Sequence, residues 1–202
     1  MREDSRVHEM KRLVLALVLL WPVSGLADLA AGFEAVQRGD YANAMREWRP
    51  LAEQGNAKAQ HNLGWIFANG KGVPQNNNEA IKWYRLAAEQ GNAGAQYNLA
   101  LMYYEGHGVP ANYAEAVKWF RLAAEQGDAD AQNNLATAYL NGKGVPEDYV
   151  HSYAWLNMSA AQGNKLASLK KSILRERMTP AQIAEAQKLS RELCAKIPNC
   201  AK

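Results

Sequence analysis

The side chains best suited to catalysis or metal binding are few in this sequence, and they are widely separated. Past the N-terminal segment, the histidines are His61, His107 and His151. None of them has a histidine four residues away or a cysteine beside it, so the spacing does not indicate a zinc site. The sequence contains no GxSxG motif or other setting for a nucleophile. We therefore expect no catalytic residue, no metal and no cofactor.

A glycine-rich segment, NGKGVP at 141–146, has the composition of a phosphate-binding loop. The GxxxxGK[ST] pattern that such a loop needs is missing. Related segments place Lys71, His107 and Lys143 at the same position. This position therefore favours a polar side chain in general and not a histidine in particular. The glycines are explained as residues that end helices.

The two cysteines of the chain, Cys194 and Cys200, stand six positions apart with Pro198 between them. A local disulfide is geometrically feasible and would hold the C-terminal end together. Two free thiols are the alternative. The pair has neither the CxxC redox spacing nor a spacing typical of metal sites.

The N-terminal segment has the pattern of an export signal. A basic pair precedes an apolar run at 13–21, Pro22 ends that run, and small residues follow up to Ala27. The run is shorter than the roughly 20 residues that a membrane span needs. We predict a cleaved signal peptide at 1–27, with Met10 as an alternative start and a retained apolar helix as the competing interpretation. The mature protein would then be periplasmic or secreted, without stable insertion in the membrane.

Length and charge exclude several classes of protein. The chain has 202 residues and a formal net charge of +3, and 48% of its residues are hydrophobic. This composition is that of a folded domain and not of a disordered chain. The basic residues are spread along the sequence without a block, so nucleic acid is not an expected partner.

A repeat with a period of 36 residues organises most of the chain. The triplet GVP recurs at Gly72, Gly108 and Gly144, and AQ.NL begins at Ala59, Ala95 and Ala131. Such self-similarity is typical of a solenoid, in which one supersecondary unit buries its apolar face only by stacking on its copies.

Each unit is predicted to form two helices. Asn56, Asn92 and Asp128 are predicted N-caps of the first helices, which end at Gly70, Gly106 and Gly142. The second helix of the middle unit is predicted over about 113–126. Aromatic side chains in the same register are predicted to be core residues: Trp83, Trp119, Trp155, Tyr84 and Phe120.

The ends of the array differ from its centre, as terminal repeats usually do. Thr179 is a predicted N-cap with Gln182 three residues later, which opens a C-terminal helix over about 180–196 that covers the final repeat. The predicted divisions are an N-terminal cap or half repeat at 28–55, repeats at 56–91, 92–127 and 128–163, and a degenerate last repeat with a capping helix at 164–202.

The pattern A-x-A-Q-x-N-L, G-x-G-V-P and E-A-x-K-W-Y/F-R-L-A-A-E-Q-G resembles the Sel-one-like repeat (SLR), a relative of the tetratricopeptide repeat with a longer interhelical loop. The resemblance covers about 30–164. It implies an all-α fold, a right-handed α/α superhelix of helix pairs that binds other proteins and often assembles envelope or secretion complexes. Exported, cysteine-rich relatives with a disulfide in each repeat have been linked to β-lactam binding, but this chain lacks those paired cysteines.

Comparison of the three copies with one another shows one variable stripe on the first helix of each unit. Its positions are spaced by 3, 4 and 3 residues, which places them on one helical face. Identical packing requires identical residues, so this face is predicted to be exposed. The resemblance to tetratricopeptide-like arrays implies that it lines the concave groove, where we expect it to bind a partner segment. A solvent-exposed face without a binding role is the alternative. The predicted binding residues are Lys58, His61, Trp65, Tyr97, Leu101, Tyr104, Asp130, Asn133, Thr137 and Leu140.

Asparagine recurs beside this stripe at Asn62, Asn98 and Asn134. Because asparagine is a poor helix former, its repetition needs a reason. Its amide either ties adjacent helices together or contacts the backbone of a bound peptide.

The sequence thus predicts a non-catalytic adaptor or scaffold of the bacterial cell envelope that binds a protein or peptide. An envelope hydrolase or β-lactam-binding protein is the alternative from the enzyme class. A purely structural spacer is a third hypothesis, in which the variable stripe carries no specificity.

Overall fold

The computed structural model describes residues 24–197 and residue 200. These residues form ten helices and no strand. In chain order the helices are α1 (Ser24–Gln37), α2 (Tyr41–Glu53), α3 (Ala57–Asn69), α4 (Asn77–Glu89), α5 (Ala93–Glu105), α6 (Tyr113–Glu125), α7 (Ala129–Asn141), α8 (Tyr149–Ala161), α9 (Lys165–Arg175) and α10 (Pro180–Cys194).

Consecutive helices pack as pairs, and the pairs stack in sequence order. The pairs are α1 with α2, α3 with α4, α5 with α6, and α7 with α8. The second helix of each pair also packs against the first helix of the next pair, and α3 contacts α5 directly. The predicted all-α solenoid is therefore confirmed.

The helix ends follow from local sequence. The side chains of Asn56, Asn92 and Asp128 each accept a hydrogen bond from the backbone N–H three residues later, as predicted for N-caps. Gly70, Gly106 and Gly142 end the same helices in the left-handed conformation. The second helices have N-caps that our sequence analysis did not identify, at Asn76, Asn112 and Asp148.

The core is built from alanines and aromatic residues at the predicted register. Tyr84, Phe120, Trp119 and Trp155 are buried, and Trp83 is partly buried against the core of the first two pairs. Alanines fill the positions where helices approach closely, and many of them have no exposed surface. Small side chains let the helices nest, and the aromatic rings occupy the wider spaces.

A recurring buried glutamine links the first helix of each unit to the preceding unit and to the second helix of its own pair. The amide of the buried Gln96 donates to the carbonyl oxygen of Ala88 at 3.1 Å, and its oxygen accepts a hydrogen bond from Gln126 at 2.7 Å. Gln60 and Gln132 make the equivalent contacts in the units before and after. The glutamines of the AQ and EQG motifs are thus structural, because each buried amide is satisfied only when the two units are stacked.

The C-terminal end closes as predicted in two respects. Thr179 and Gln182 form a capping box at the start of α10, and α10 packs against α8, the second helix of the last complete pair. Cys194 and Cys200 form a disulfide with a Cα–Cα distance of 5.3 Å, so the alternative of two free thiols is wrong.

The predicted signal peptide falls mostly outside the described residues, which include only its last four positions at the start of α1. Within the described part of the chain, no helix combines the length and the apolar character that crossing a membrane requires.

Candidate functional site

The candidate site lies on the layer of first helices, where α3, α5 and α7 carry the variable stripe. Of the ten predicted binding residues, Lys58 and Asp130 are exposed and Asn133 is buried. The remaining seven are half-buried: His61, Trp65, Tyr97, Leu101, Tyr104, Thr137 and Leu140.

The expectation that variable positions do not pack is wrong for most of this stripe. Trp65 packs against the cores on both sides of it, and the Tyr97 ring lies 6.0 Å from the Phe120 ring. Asn133 is buried. Its amide nitrogen donates to Asn134, and its amide oxygen accepts from Lys170. Part of this packing is with a position that also varies, because Phe120 stands where the unit before has Tyr84 and the unit after has Leu156.

Two of the three repeated asparagines tie adjacent first helices. Asn98 Nδ2 lies 3.0 Å from His61 Nε2 in the preceding unit. The Asn134 side chain lies beside the Tyr97 hydroxyl, one unit before it. Asn62 differs, because its buried Nδ2 atom has no hydrogen-bond partner among the described residues.

A cavity of about 120 Å³ opens on this layer between two consecutive units. One wall comes from α5 and the other from α7, and the ring of Phe120 on α6 lies between them. Four of the six lining residues are predicted binding residues or repeated asparagines. The lining residues are Leu101, Tyr104, Glu105, Phe120, Asn134 and Thr137.

The contribution of Lys170 was missed because it lies in the degenerate last unit. Its Nζ atom donates to Thr137 Oγ1 at 2.7 Å and to Asn133 Oδ1 at 3.1 Å. Burial lowers the pKa of its ammonium group. Lys170 therefore fixes the α7 side of the layer by hydrogen bonds. The only signal in the sequence is that Lys170 stands 36 residues after Asn134, where the earlier units carry the repeated asparagine.

Two side chains of this layer have pKa values that their surroundings shift. Burial, and next the charge of Asp130, raise the pKa of the Tyr97 hydroxyl. Burial also raises the pKa of Asp128, which accepts the N-cap hydrogen bond of α7. No group of three or more His, Cys, Asp or Glu side chains in the described part of the chain is placed to hold a metal ion. The layer can bind a ligand through apolar contacts and hydrogen bonds.

The burial of His61 predicts a pH-dependent stability. Burial lowers the pKa of His61 from its ordinary value of 6.5. As the pH falls below 6.5, the unfolded chain binds a proton before the folded chain does, so the free energy of unfolding decreases until the lowered pKa is passed. We expect the melting temperature to fall more between pH 7.5 and pH 5.5 in the wild type than in a His61→Asn variant, which carries the residue found at position 133. An equal fall in both proteins would contradict a buried, neutral His61.

The comparisons with known proteins agree with this architecture. The family model described as Sel1 repeat matches three consecutive segments, 57–92, 93–128 and 129–164. The chain belongs to the Sel1 repeat family. The resemblance to the Sel-one-like repeat is thereby confirmed, and Sel1 repeat proteins are often non-catalytic scaffolds for protein interactions.

Two solved structures resemble this Sel1 repeat protein. One is a protective antigen present in uropathogenic Escherichia coli strains and displaying an SLR fold, with 26% identity over 88% of this chain and a TM-score of 0.61. The alignment spans only 46% of the antigen. The other is a Sel1 repeat protein from Oxalobacter formigenes, with 37% identity and a TM-score of 0.59. The alignment covers 63% of this chain and 96% of the Oxalobacter formigenes protein. No curated protein matches.

Proposed function

We propose that this Sel1 repeat protein is a non-catalytic scaffold of the bacterial cell envelope that binds a segment of a partner protein along its layer of first helices. The cavity between α5 and α7 is the observation on which this depends. It receives one side chain of the bound segment, while the half-buried stripe on either side contacts the neighbouring residues of that segment.

The size of the cavity favours a peptide over a small molecule. Sites for drug-sized ligands and cofactors have volumes of about 300–1,000 Å³, whereas this cavity has about 120 Å³. Leu101, Tyr104 and Phe120 give it apolar walls. An aliphatic side chain of the partner matches this volume and this lining.

Polar groups around the cavity suit the backbone of the same segment. Asn134 and Thr137 line one side, and the carboxylate of Glu105 lines the other. The Thr137 hydroxyl is already bonded to the Asn133 carbonyl and to Lys170, so the Asn134 amide and the Glu105 carboxylate are the groups that would orient the bound segment. Glu105 would favour a basic or amide-bearing residue next to the aliphatic side chain.

A location outside the cytoplasm is proposed from two features. The sequence of residues 1–27 has the order of an export signal. Cys194 and Cys200 form a disulfide, and such bonds persist mainly in oxidising compartments such as the periplasm.

Filling the cavity tests the proposed binding mode. Leu101→Trp places a larger apolar side chain at the cavity wall without removing a hydrogen bond. We expect partner recovery from an envelope extract, measured by affinity capture and mass spectrometry, to fall at least about tenfold, the equivalent of 1.4 kcal/mol. The far-UV helical signal and melting temperature should stay near those of the wild type.

Leu122→Trp is the matched control, because Leu122 is exposed on α6 and lies outside the cavity. This variant should capture the same partner as the wild type. Equal recovery with both variants would refute the assignment of the cavity to partner binding.

A further inference from the structure

An apolar stripe, here called the α9 stripe, is exposed on the last helix in the layer of first helices. It consists of Leu166, Leu169 and Ile173, which have 52%, 57% and 55% of their surface exposed. Their spacing of three and four residues places them on one face of the helix. Ala167 and Leu174, the buried residues of α9, lie away from this face. Terminal units of solenoids normally present a polar outer face, so an apolar stripe here indicates a surface that a further molecule covers.

The α9 stripe continues the series of contacts between consecutive first helices. One unit earlier, Asn133 and Thr137 on α7 both accept hydrogen bonds from Lys170 on α9. Leu169 and Ile173 stand 36 residues after Asn133 and Thr137, so they occupy positions on which another first helix would stack. The closing helix leaves them open, because α10 packs against α8 in the layer of second helices.

The charges beside the α9 stripe have opposite signs at its two ends. Lys165 begins α9 and Glu176 is its C-cap residue, and both are exposed. Eleven positions, about three helical turns, separate them, so they lie on the same edge of the stripe about 16 Å apart along the axis. Among the described residues, neither side chain forms a salt bridge. The edge thus carries a cation at its start and an anion at its end.

The other basic residues of this region do not border that edge. Lys170 and Lys171 donate hydrogen bonds to side chains of α7 and α8. Arg177 stacks on a tyrosine ring of α8 at 4.8 Å. Arg175 lies off the stripe, because it is rotated by about 120° from Leu169 around the helix axis. The two end charges are therefore the ones that a molecule lying along the stripe would meet.

We propose that α9 pairs antiparallel with α9 of a second copy of this chain, stripe against stripe. In such a pair the two-fold axis reverses the direction of the second helix and leaves its charged edge on the same side of the contact. Lys165 of each copy then meets Glu176 of the other. One symmetric contact covers both apolar stripes and joins two pairs of opposite charges, so the assembly closes as a dimer.

A single register of this pair satisfies both kinds of contact. When Lys165 stands opposite Glu176 of the second copy, Leu169 stands within one residue, about 1.5 Å along the axis, of the position opposite Ile173. The apolar side chains and the charges therefore specify the same alignment. A parallel pair would place the two charged edges on opposite sides of the contact, where the charges could not meet.

The contact is small, and its size sets the expected strength of the dimer. α9 has 11 residues and is about 16 Å long. A pair formed by α9 alone therefore falls below the roughly 1,200 Å² that standard interfaces bury, and we expect it to dissociate in the micromolar range. The α9 stripe is separate from the cavity between α5 and α7, so each copy in the dimer keeps its proposed partner site.

Charge-swap variants of the full chain test the pairing in sedimentation equilibrium. Lys165→Glu and Glu176→Lys should each weaken dimerisation at least about fivefold, because each variant places like charges together at both ends of its own dimer. An equimolar mixture of the two variants should dimerise like the wild type, because the mixed dimer again contains two pairs of opposite charges. A merely structural role of either residue does not predict this rescue.

The apolar part of the contact is tested by Leu169→Glu, which should weaken dimerisation at least about tenfold. Leu122→Glu is the matched control, because it makes the same charge change at an exposed leucine of α6, and it should leave dimerisation unchanged. Leu101→Trp should also dimerise normally. Failure of the proposed partner site and failure of the dimer are therefore distinguishable.

Three results would overturn the proposal. The first is a wild-type chain that stays monomeric at millimolar concentration, and binding of that monomer to anionic phosphatidylglycerol vesicles, lost in Leu169→Glu, would assign the stripe to a membrane surface. The second is self-association that Leu169→Glu and Leu122→Glu weaken equally. The third is association that grows beyond a dimer and is not restored by mixing the charge-swap variants, which would assign the stripe to a head-to-tail contact with the other end of the solenoid.

Discussion

Gly144→Ala is expected to destabilise this protein by about 2–5 kcal/mol. Gly144 lies in the loop between α7 and α8 with a φ of +76°, a conformation that costs an L-residue roughly 1–2 kcal/mol. A Cβ atom built on Gly144 would lie 2.3 Å from the carbonyl oxygen of Tyr113 and 2.4 Å from its carbonyl carbon. Both atoms belong to the start of α6 in the preceding unit, so the loop and that unit must separate. Chemical denaturation followed by circular dichroism measures the loss.

Gly91→Ala is the matched control for this substitution. Gly91 has a φ of +85°, close to that of Gly144, but a Cβ atom there meets nothing within 4 Å. The control should lose only the conformational contribution, about 1–2 kcal/mol. Equal losses in the two variants would show that contact between the loop and the preceding unit contributes nothing.

Phe120→Ala is expected to cost about 3–5 kcal/mol of stability, the usual range for removing a buried aromatic ring. The Phe120 side chain is 1% exposed and contacts the rings of Tyr97 and Tyr104 at 6.0 and 6.2 Å. Its loss removes these contacts and enlarges the cavity between α5 and α7. The free energy of unfolding and the capture of the partner should therefore both decrease.

Leu122→Ala provides the comparison on the same helix. Leu122 is 38% exposed, and substitutions at exposed positions usually change stability by less than about 0.5–1 kcal/mol. If Phe120→Ala unfolds at the same denaturant concentration as Leu122→Ala, the ring is not a core residue. If Phe120→Ala is destabilised but binds its partner normally, the cavity is not the binding site.

The stacking of units and the proposed binding of a partner use the same layer, that of the first helices. Tyr97 and Asn133 were predicted to face a partner, yet each also contacts a neighbouring unit. Under the proposed binding mode, the surface open to a partner segment is therefore narrower than the variable stripe: it consists of the cavity and the exposed side chains at its borders. Substitutions of the half-buried stripe residues would mix effects on folding and on binding.

The sequence by itself determined the features that depend on local contacts. The period of 36 residues, the N-caps at Asn56, Asn92 and Asp128, and the glycine ends of the first helices were all predictable. The caps and helix ends depend on contacts between residues three to six positions apart, whose chemistry can be read from a few adjacent letters, and the period is read from the sequence directly.

Only the tertiary structure decided which side of each helix is covered. His61 meets Asn98, Gln96 meets Gln126, and Lys170 meets Asn133 across 30 to 37 residues. A periodic sequence shows that such positions are equivalent but does not fix the rotation of one helix against the next. Asn133 is buried and Leu169 is exposed at the same position of consecutive units, because α9 stacks on the first and nothing in the described structure stacks on the second.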